Sequence, residues 1–416
     1  IIGAEFLPVL RTIEADLNHL KAVLVIDGKN TAGYPDAPTY VDYAEALVSA
    51  PNDMELPSLL PSDIASILYT SGTSGPAKGV LMPYGQVMLL AQQTADKLCI
   101  QSADVYYSFH PLYHMAGKFM QILACAVAGA KVVLDAEFSP QRWLQRIRES
   151  GATISGAHGP MLEMIFAQPP TTEDSHHKLR TICGSPFPRH IAAAFEQRFN
   201  TRGIEVWGMT EVGVPLWGSL DEAMQVGSCG KLDSEWFDFC IVDPLTDAPL
   251  PIGGTGEFLV RPRHAWTMMQ GYVGMPEKTV ESWRNLWFHT GDSGYLDDAG
   301  NVYFVDRTSD RIRRRAENIS SYEIEVAALK YPAVSEVAAV GTESEFSGDD
   351  DIRLYVVRKL GVQFDEIDLL LHLVSTLPHF MVPRYIEFID NLPRSTTMNG
   401  KLKSELYYFQ PATWKS

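Results

Sequence analysis

Residues 67–80 read ILYTSGTSGPAKGV. Ile67-Leu68-Tyr69 is a short apolar run that predicts a buried strand. It empties into Thr70, Ser71, Gly72, Thr73, Ser74, Gly75, Pro76, Ala77, Lys78 and Gly79. Glycines let the backbone bend and approach a ligand closely, while the hydroxyls and one ammonium supply donors. Such a loop suits the phosphates of a nucleotide. It is not the common P-loop, because the GxxxxGK[ST] spacing is absent. A flexible Ser/Gly connector would need neither the strand before it nor a lone lysine held between proline and glycine.

Outward from that loop, 416 residues are too many for one ordinary core and imply two or three domains. Apolar content of 46% and charged content of 20% describe a folded globular chain. A formal charge of −17 argues against nucleic acid or an anionic membrane surface as partner. Locally, Arg311, Arg313, Arg314 and Arg315 form a basic cluster, either a solvated strand face or a dock for an anionic cosubstrate. Five scattered cysteines without CxxC spacing fit buried thiols in a reducing compartment, so a cytoplasmic location is expected. The longest apolar stretch, Phe119 to Ala130, is too short to span a bilayer. No cationic leader with a cleavage site opens the chain.

From Ala22 to Trp207 strand-like runs alternate with amphipathic stretches. The runs are Val23–Ile26, Ile64–Tyr69, Lys131–Leu134, Thr153–Ser155 and Ile204–Trp207; the stretches are Gln86–Leu98, Pro140–Glu149 and Arg189–Phe199. Such alternation predicts an α/β fold with a mainly parallel sheet, whose ligands bind outside the carboxyl ends of the strands, where the phosphate loop would sit. After Gly213 the runs Phe237–Val242, Gly256–Val260 and Val302–Val305, split by Pro/Gly turns, predict a β-rich subdomain. The last hundred or so residues predict a small α+β domain. Its helix Phe364–Leu377 carries Ile367, Leu370, Leu371 and Val374 at i, i+3, i+4, i+7 spacing. The expected division is 1–308 for the large domain and 309–416 for the small one.

Further motifs follow in order: Trp207-Gly208-Met209-Thr210-Glu211, Trp287-Phe288-His289-Thr290-Gly291-Asp292, Asp306-Arg307, Glu317-Asn318-Ile319 and Gly400-Lys401. With the phosphate loop, this set resembles the adenylate-forming superfamily of acyl-CoA synthetases, luciferases and peptide-synthetase adenylation domains. Ala167-Gln168-Pro169-Pro170, Trp283-Arg284-Asn285-Leu286-Trp287 and Tyr303-Phe304-Val305-Asp306-Arg307 are similar to crotonobetaine/carnitine–CoA ligases and neighbouring bacterial acyl-CoA ligases. The family carries a long segment ahead of the phosphate loop, so the N-terminal part of the large domain is expected to be missing here.

The resemblance implies an ATP-dependent acyl-CoA ligase. A carboxylic acid and ATP give an acyl-adenylate and pyrophosphate, and coenzyme A then takes the acyl group and releases AMP. The first step, at a phosphorus, gathers charge on phosphoryl oxygens, so catalysis rests on positioning and charge stabilisation. By the resemblance, Thr70, Ser71, Gly72, Thr73, Ser74, Gly75 and Lys78 hold the β- and γ-phosphates. Glu211, with Thr70, holds Mg²⁺, although a glutamate after Thr also suits a helix cap. Trp207 either stacks on adenine or is a plain core aromatic; Gly208, Met209 and Thr210 follow it in the same box, and the turn Gly184-Ser185-Pro186 beside Cys183 faces adenine. Asp292 accepts from the ribose hydroxyls and Arg307 adds a cation nearby. Lys401, with Lys403 as fallback, bridges the α-phosphate and the carboxylate from a mobile domain.

His114, in Pro111-Leu112-Tyr113-His114-Met115-Ala116-Gly117, gates the acid pocket, with His158, Met161, Val212 and Trp217 as weaker pocket candidates. Trp287 and His289 support the loop carrying Asp292. The small domain would rotate about Ser309, where the family has Asp or Lys, and Ala316-Glu317-Asn318 replaces Gly-Glu-Asn beside the thiol's route. Fatty acid or carnitine metabolism and a homodimer stand as expectations of context. An adenylation enzyme loading a carrier protein, a luciferase-like oxygenase and a non-catalytic nucleotide-binding homologue stay open.

Overall fold

The runs between Val105 and Leu232 build a seven-stranded sheet. A computed structural model describes residues 1–17, 19–27, 39–51, 53–70, 77–307, 312–314, 317–319, 321–343, 350–393 and 414–415, a few of them by backbone alone. Strands Val105–Ser108, Lys131–Leu134, Ile154–His158, Thr181–Ser185 and Arg202–Met209 pair in parallel. Gly213–Trp217 and Lys231–Leu232 extend the sheet antiparallel. A parallel sheet must be covered on both faces. On one, Val87, Leu90 and Ala91 of helix Tyr84–Lys97 pack with Val206 and Leu216. On the other, Trp143 and Ile147 of helix Pro140–Ser150 and Phe195 and Phe199 of helix Ala192–Phe199 pack with Tyr107 and Ile182.

The chain divides into two units, Ile1–Leu59 and Leu60–Ser416. The first holds a three-stranded parallel sheet, Ile2–Gly3, Ala22–Ile26 and Thr39–Asp42, around Leu7, Val23 and Val25. The 308/309 boundary read from sequence falls inside the second unit, where residues 308–311 lie outside the described set.

The hairpin that carries the phosphate loop departs from expectation in two ways. Strand Ile64–Thr70 pairs antiparallel with Lys78–Pro83, and both belong to a separate three-stranded sheet with Gly271–Tyr272. The loop therefore joins an antiparallel hairpin and does not follow a strand of the parallel sheet. The strand also lies at its sheet's edge, so Leu68 is buried while Ile67 is 44% and Tyr69 65% exposed. The apolar run marked a strand correctly but a buried one wrongly.

A four-stranded antiparallel sheet of Phe237–Val242, Gly256–Pro262, Phe288–Leu296 and Val302–Arg307 forms the β-rich part. The smaller C-terminal part is α+β, with Val334–Glu343, Asp350–Arg358 and Tyr385–Phe388 in its sheet and a core of its own around Val337, Ile352 and Leu373. Helix Glu366–Thr376 starts at a capping box between Asp365 and Asp368. It buries Leu369 and Leu373, leaving Ile367, Leu371 and Val374 exposed, so the apolar spacing found the helix without marking its buried face. Among the described residues no helix is long and apolar enough to cross a membrane.

Candidate active site

Thr70 and Lys78 face each other in register across the neck of the phosphate-loop hairpin, and both line a cavity of about 600 Å³. The Lys78 ammonium lies 5.0 Å from the centroid of the Tyr272 ring. The Tyr272 hydroxyl in turn donates to Glu211 Oε1 at 3.0 Å. Burial, reinforced by the Glu211 carboxylate, holds the Tyr272 phenol far above its ordinary range, so it remains a donor. Ser71 to Gly75 lie outside the described residues.

Glu211 sits in the turn between antiparallel strands Arg202–Met209 and Gly213–Trp217. No helix follows it, which removes the helix-cap alternative. The buried Gln86 amide donates to the carbonyls of Thr210 and Glu211 at 2.9 and 3.3 Å, and the Met269 N–H donates to the Glu211 carbonyl at 2.9 Å. The turn is thereby pinned from two other segments. Among the described residues no group of three metal-ligating side chains forms. Glu211 and Thr70 fit a hard cation that keeps most of its ligands from phosphate and water.

Alternation along Arg202–Met209 gives Val206 and Gly208 to the cavity, and Met209 and Thr210 follow at its rim. Trp207 is turned the other way. It packs edge-on against Phe258 at 5.3 Å and donates from Nε1 to Asp292 Oδ2 at 2.8 Å. Stacking of Trp207 on adenine is therefore replaced by a hold on the carboxylate expected to meet ribose. Asp292 lines the cavity, its own N–H donating to Thr290 Oγ1 at 3.1 Å. Arg307 lies opposite Asp292 in backbone register, and its side chain is outside the described set, as is Lys401. Glu257 accepts from the Gly291 N–H and pairs with His289 Nδ1, at 3.1 and 3.0 Å, which braces the bend before Asp292. Trp287 instead lies under the Arg261 guanidinium, 4.5 Å from its ring centroid.

The other end of the cavity is made by His110, His114 and His158. The His158 ring stands edge-on to the other two at centroid distances of 4.8 and 5.7 Å. Burial pushes all three imidazoles down, His114 to about 4 and His110 well below the ordinary value, with the neighbouring rings adding to the effect on both. They are neutral. Gly117 makes this end possible: a Cβ there would lie 2.7 Å from the Pro111 carbonyl oxygen and 2.8 Å from that of His110. Gly184 and Ser185 also line the cavity, whereas Pro186 does not. Met161, Val212 and Trp217 pack into the cores and leave the cavity wall to others.

Sequence reasoning missed Gln86, His110, Gln121 and Tyr272. His110 and Gln121 had legible signals: a second histidine four residues before His114, and one amide inside the apolar stretch Phe119 to Ala130. Gln86 and Tyr272 had none, since both reach the site through tertiary packing.

Residues 3–273 match the family described as AMP-binding enzyme, and residues 323–401 match the AMP-binding enzyme C-terminal domain. A crotonobetaine/carnitine–CoA ligase of Salmonella arizonae is 29% identical over 355 residues, covering 83% of this chain and 66% of that protein. One of Escherichia coli strain SE11 is 30% identical over 355 residues with the same coverage, so the chain spans about two thirds of these relatives' length. The o-succinylbenzoate coenzyme A synthetase of Bacillus subtilis, solved with ATP and magnesium ion, is 26% identical with a TM-score of 0.79, covering 96% of this chain and 81% of that one. ATP-bound MatB of Rhodopseudomonas palustris shares the fold at a TM-score of 0.83 and 24% identity, covering 98% of this chain and 78% of that one.

Proposed function

Because the chain belongs to the AMP-binding enzyme family, we propose that it is an ATP-dependent acid–thiol ligase that makes an acyl-CoA in two steps. A carboxylate oxygen attacks the α-phosphorus of ATP and expels pyrophosphate; the thiol of coenzyme A then attacks the acyl carbon and expels AMP. One observation carries this reading. Lys78, Glu211 and Asp292, from three separate segments, converge on a cavity whose other end is neutral and suited to an acid.

Lys78 and Thr70 bind the outer phosphates together with the loop between them. Asp292, oriented by Trp207 and Thr290, receives the ribose hydroxyls, with Arg307 beside it. Glu211 and Thr70 hold Mg²⁺, which when bound neutralises charge on the phosphate oxygens. His114 closes over the carboxylate as a neutral ring. Lys401 brings its ammonium between carboxylate and α-phosphate from a small domain, 309–416, that turns about Ser309 relative to 1–308 and admits coenzyme A past Ala316 in the second step. A cytoplasmic setting accords with five cysteines that are all free thiols.

The test is pyrophosphate release from ATP and Mg²⁺ with a panel of carboxylic acids, with and without coenzyme A. Acid-dependent pyrophosphate, and thioester only when coenzyme A is added, is the expected result. No acid-dependent release with any member overturns the reading. Adenylate formation that ignores free coenzyme A turns it toward a carrier protein.

A further inference from the structure

Resting on the ligase reading, we infer that the histidine end of the cavity selects a carboxylic acid whose acyl group carries an uncharged hydrogen-bonding substituent, a hydroxyl or carbonyl. A plain hydrocarbon acid and a cationic or dianionic one are both disfavoured.

Hydrogen bonding fixes the tautomers of this end. The Ser108 hydroxyl donates to Gln121 Oε1, and the Gln121 amide donates from Nε2 to His110 Nδ1 at 3.1 Å. An Nδ1 that accepts in a neutral ring puts the proton on Nε2, so His110 presents Nε2–H as a donor. His114 Nδ1 accepts from the Ala116 N–H at 3.2 Å, which makes His114 Nε2–H a second donor. His158 Nδ1 donates to the Ser185 carbonyl at 3.2 Å, which makes His158 Nε2 an acceptor. The buried Tyr106 side chain joins this wall.

These are buried polar groups, and Ser108, His110 and Gln121 are each at most 4% exposed. A core chosen for hydrocarbon would not keep such a chain of amide, hydroxyl and imidazole, since each donor left unpaired beside an alkyl group loses its water for nothing. Gly156 preserves the arrangement: a Cβ there would sit 2.9 Å from the Tyr106 hydroxyl and 3.1 Å from Gln121 Nε2.

Formal charge is excluded just as sharply. Among the described residues, every Lys, Arg, Asp and Glu that lines the cavity is Lys78 or lies in the chain beyond Val206, and none comes from the segment 94–185 that supplies this end. A trimethylammonium group or a second carboxylate would find neutral rings and the side chains of Leu98 and Met120 there.

The experiment compares matched acids by kcat/KM for pyrophosphate release: butanoate against its hydroxy and oxo derivatives, benzoate against hydroxybenzoates, and each against a trimethylammonium analogue. The polar uncharged member of each set is expected to lead by at least about tenfold. In Gln121→Met and His110→Leu that ratio is expected to fall towards one, the hydrocarbon acid gaining as the polar one loses. ATP affinity by calorimetry reports that each variant still folds, and the parent enzyme's own ratios stand without them. Equal or better use of the hydrocarbon or cationic acid by the parent, or a ratio unchanged in both variants, overturns the inference.

Calorimetric binding of the same acids beside a non-cleavable ATP analogue separates the two readings. Preferential binding of the polar acid without pyrophosphate release refutes the ligase and upholds the pocket. Release without preference does the reverse, and neither binding nor release overturns both.

Discussion

The two ends of the cavity differ in how they handle charge. At the end proposed for the nucleotide, Lys78, Glu211 and Asp292 each meet an aromatic neighbour: Lys78 the Tyr272 ring, Glu211 the Tyr272 hydroxyl and Asp292 the Trp207 indole. At the histidine end three titratable rings have been emptied of charge by burial. Across the carboxyl ends of the parallel strands, Arg202–Met209 and Val105–Ser108 are three places apart, about 14 Å at ordinary strand spacing. On the proposed ligase reading, one cavity offers phosphate charged side chains and the acid a neutral wall, which keeps the reacting carboxylate from being captured by a cation short of the phosphorus.

The largest expected effect is at the group proposed to join the two ends. Lys401→Ala should slow adenylation by about a thousandfold, about 4 kcal/mol of barrier, while coenzyme A still reacts with supplied acyl-adenylate. Equal loss of both half-reactions, followed in single turnovers, would break the assignment. Asp292→Asn should raise the KM for ATP by roughly 10- to 100-fold, since a hydrogen bond to a charged group is worth about 1.5–3 kcal/mol. The KM for the acid should move less than about twofold, and a comparable rise in both would dissolve the distinction between the ends. Glu211→Gln should raise the Mg²⁺ requirement by about tenfold, with higher Mg²⁺ restoring part of the rate.

The neutral end is tested by pH. His114 has a folded pKa of about 4 against an ordinary 6.5, so the unfolded chain binds more protons between those values. Stability should therefore hold above pH 6.5 and fall as pH drops towards 4, by about 1–2 kcal/mol at pH 5 from His114 alone. Thermal melting across that window should show a shallower fall in His114→Asn. An equal slope in parent and variant would mean that the ring is not held neutral. The smallest effect belongs to Trp207→Phe, which keeps the packing on Phe258 and removes the donor to Asp292. About 1 kcal/mol, a severalfold rise in the KM for ATP alone, is expected from steady-state kinetics.

The charged end was legible in the sequence because its chemistry is local. Thr70, Lys78, Glu211 and Asp292 each sit in a short run of glycines and hydroxyls that announces a turn. The neutral end was half legible. His114 stood in a motif, but His110 and Gln121 take their meaning from each other, eleven residues and half a helix apart. Faces were harder than elements. Trp207 stayed open between a stacking ring and a core aromatic because nothing local says which side of a strand meets the ligand, and the spacing of Ile367, Leu371 and Val374 marked a helix without saying which face is buried. The apolar run Ile67 to Tyr69 failed likewise: whether a strand is central or at an edge is decided by its sheet partners, here Lys78–Pro83 on one side only.

The indole that steadies Asp292 has an optical consequence. Its emission depends on the charge and polarity around Nε1, and its partner is the carboxylate proposed to receive the sugar of the nucleotide. When the ribose hydroxyls donate to Asp292, the electron density facing the indole N–H changes, and Trp207 should report this as a shift in wavelength or intensity. Subtracting the spectrum of Trp207→Phe isolates its share from the other tryptophans. The protein then carries a built-in fluorophore for nucleotide occupancy, readable in a stopped-flow instrument before any acid or thiol is added and without a label.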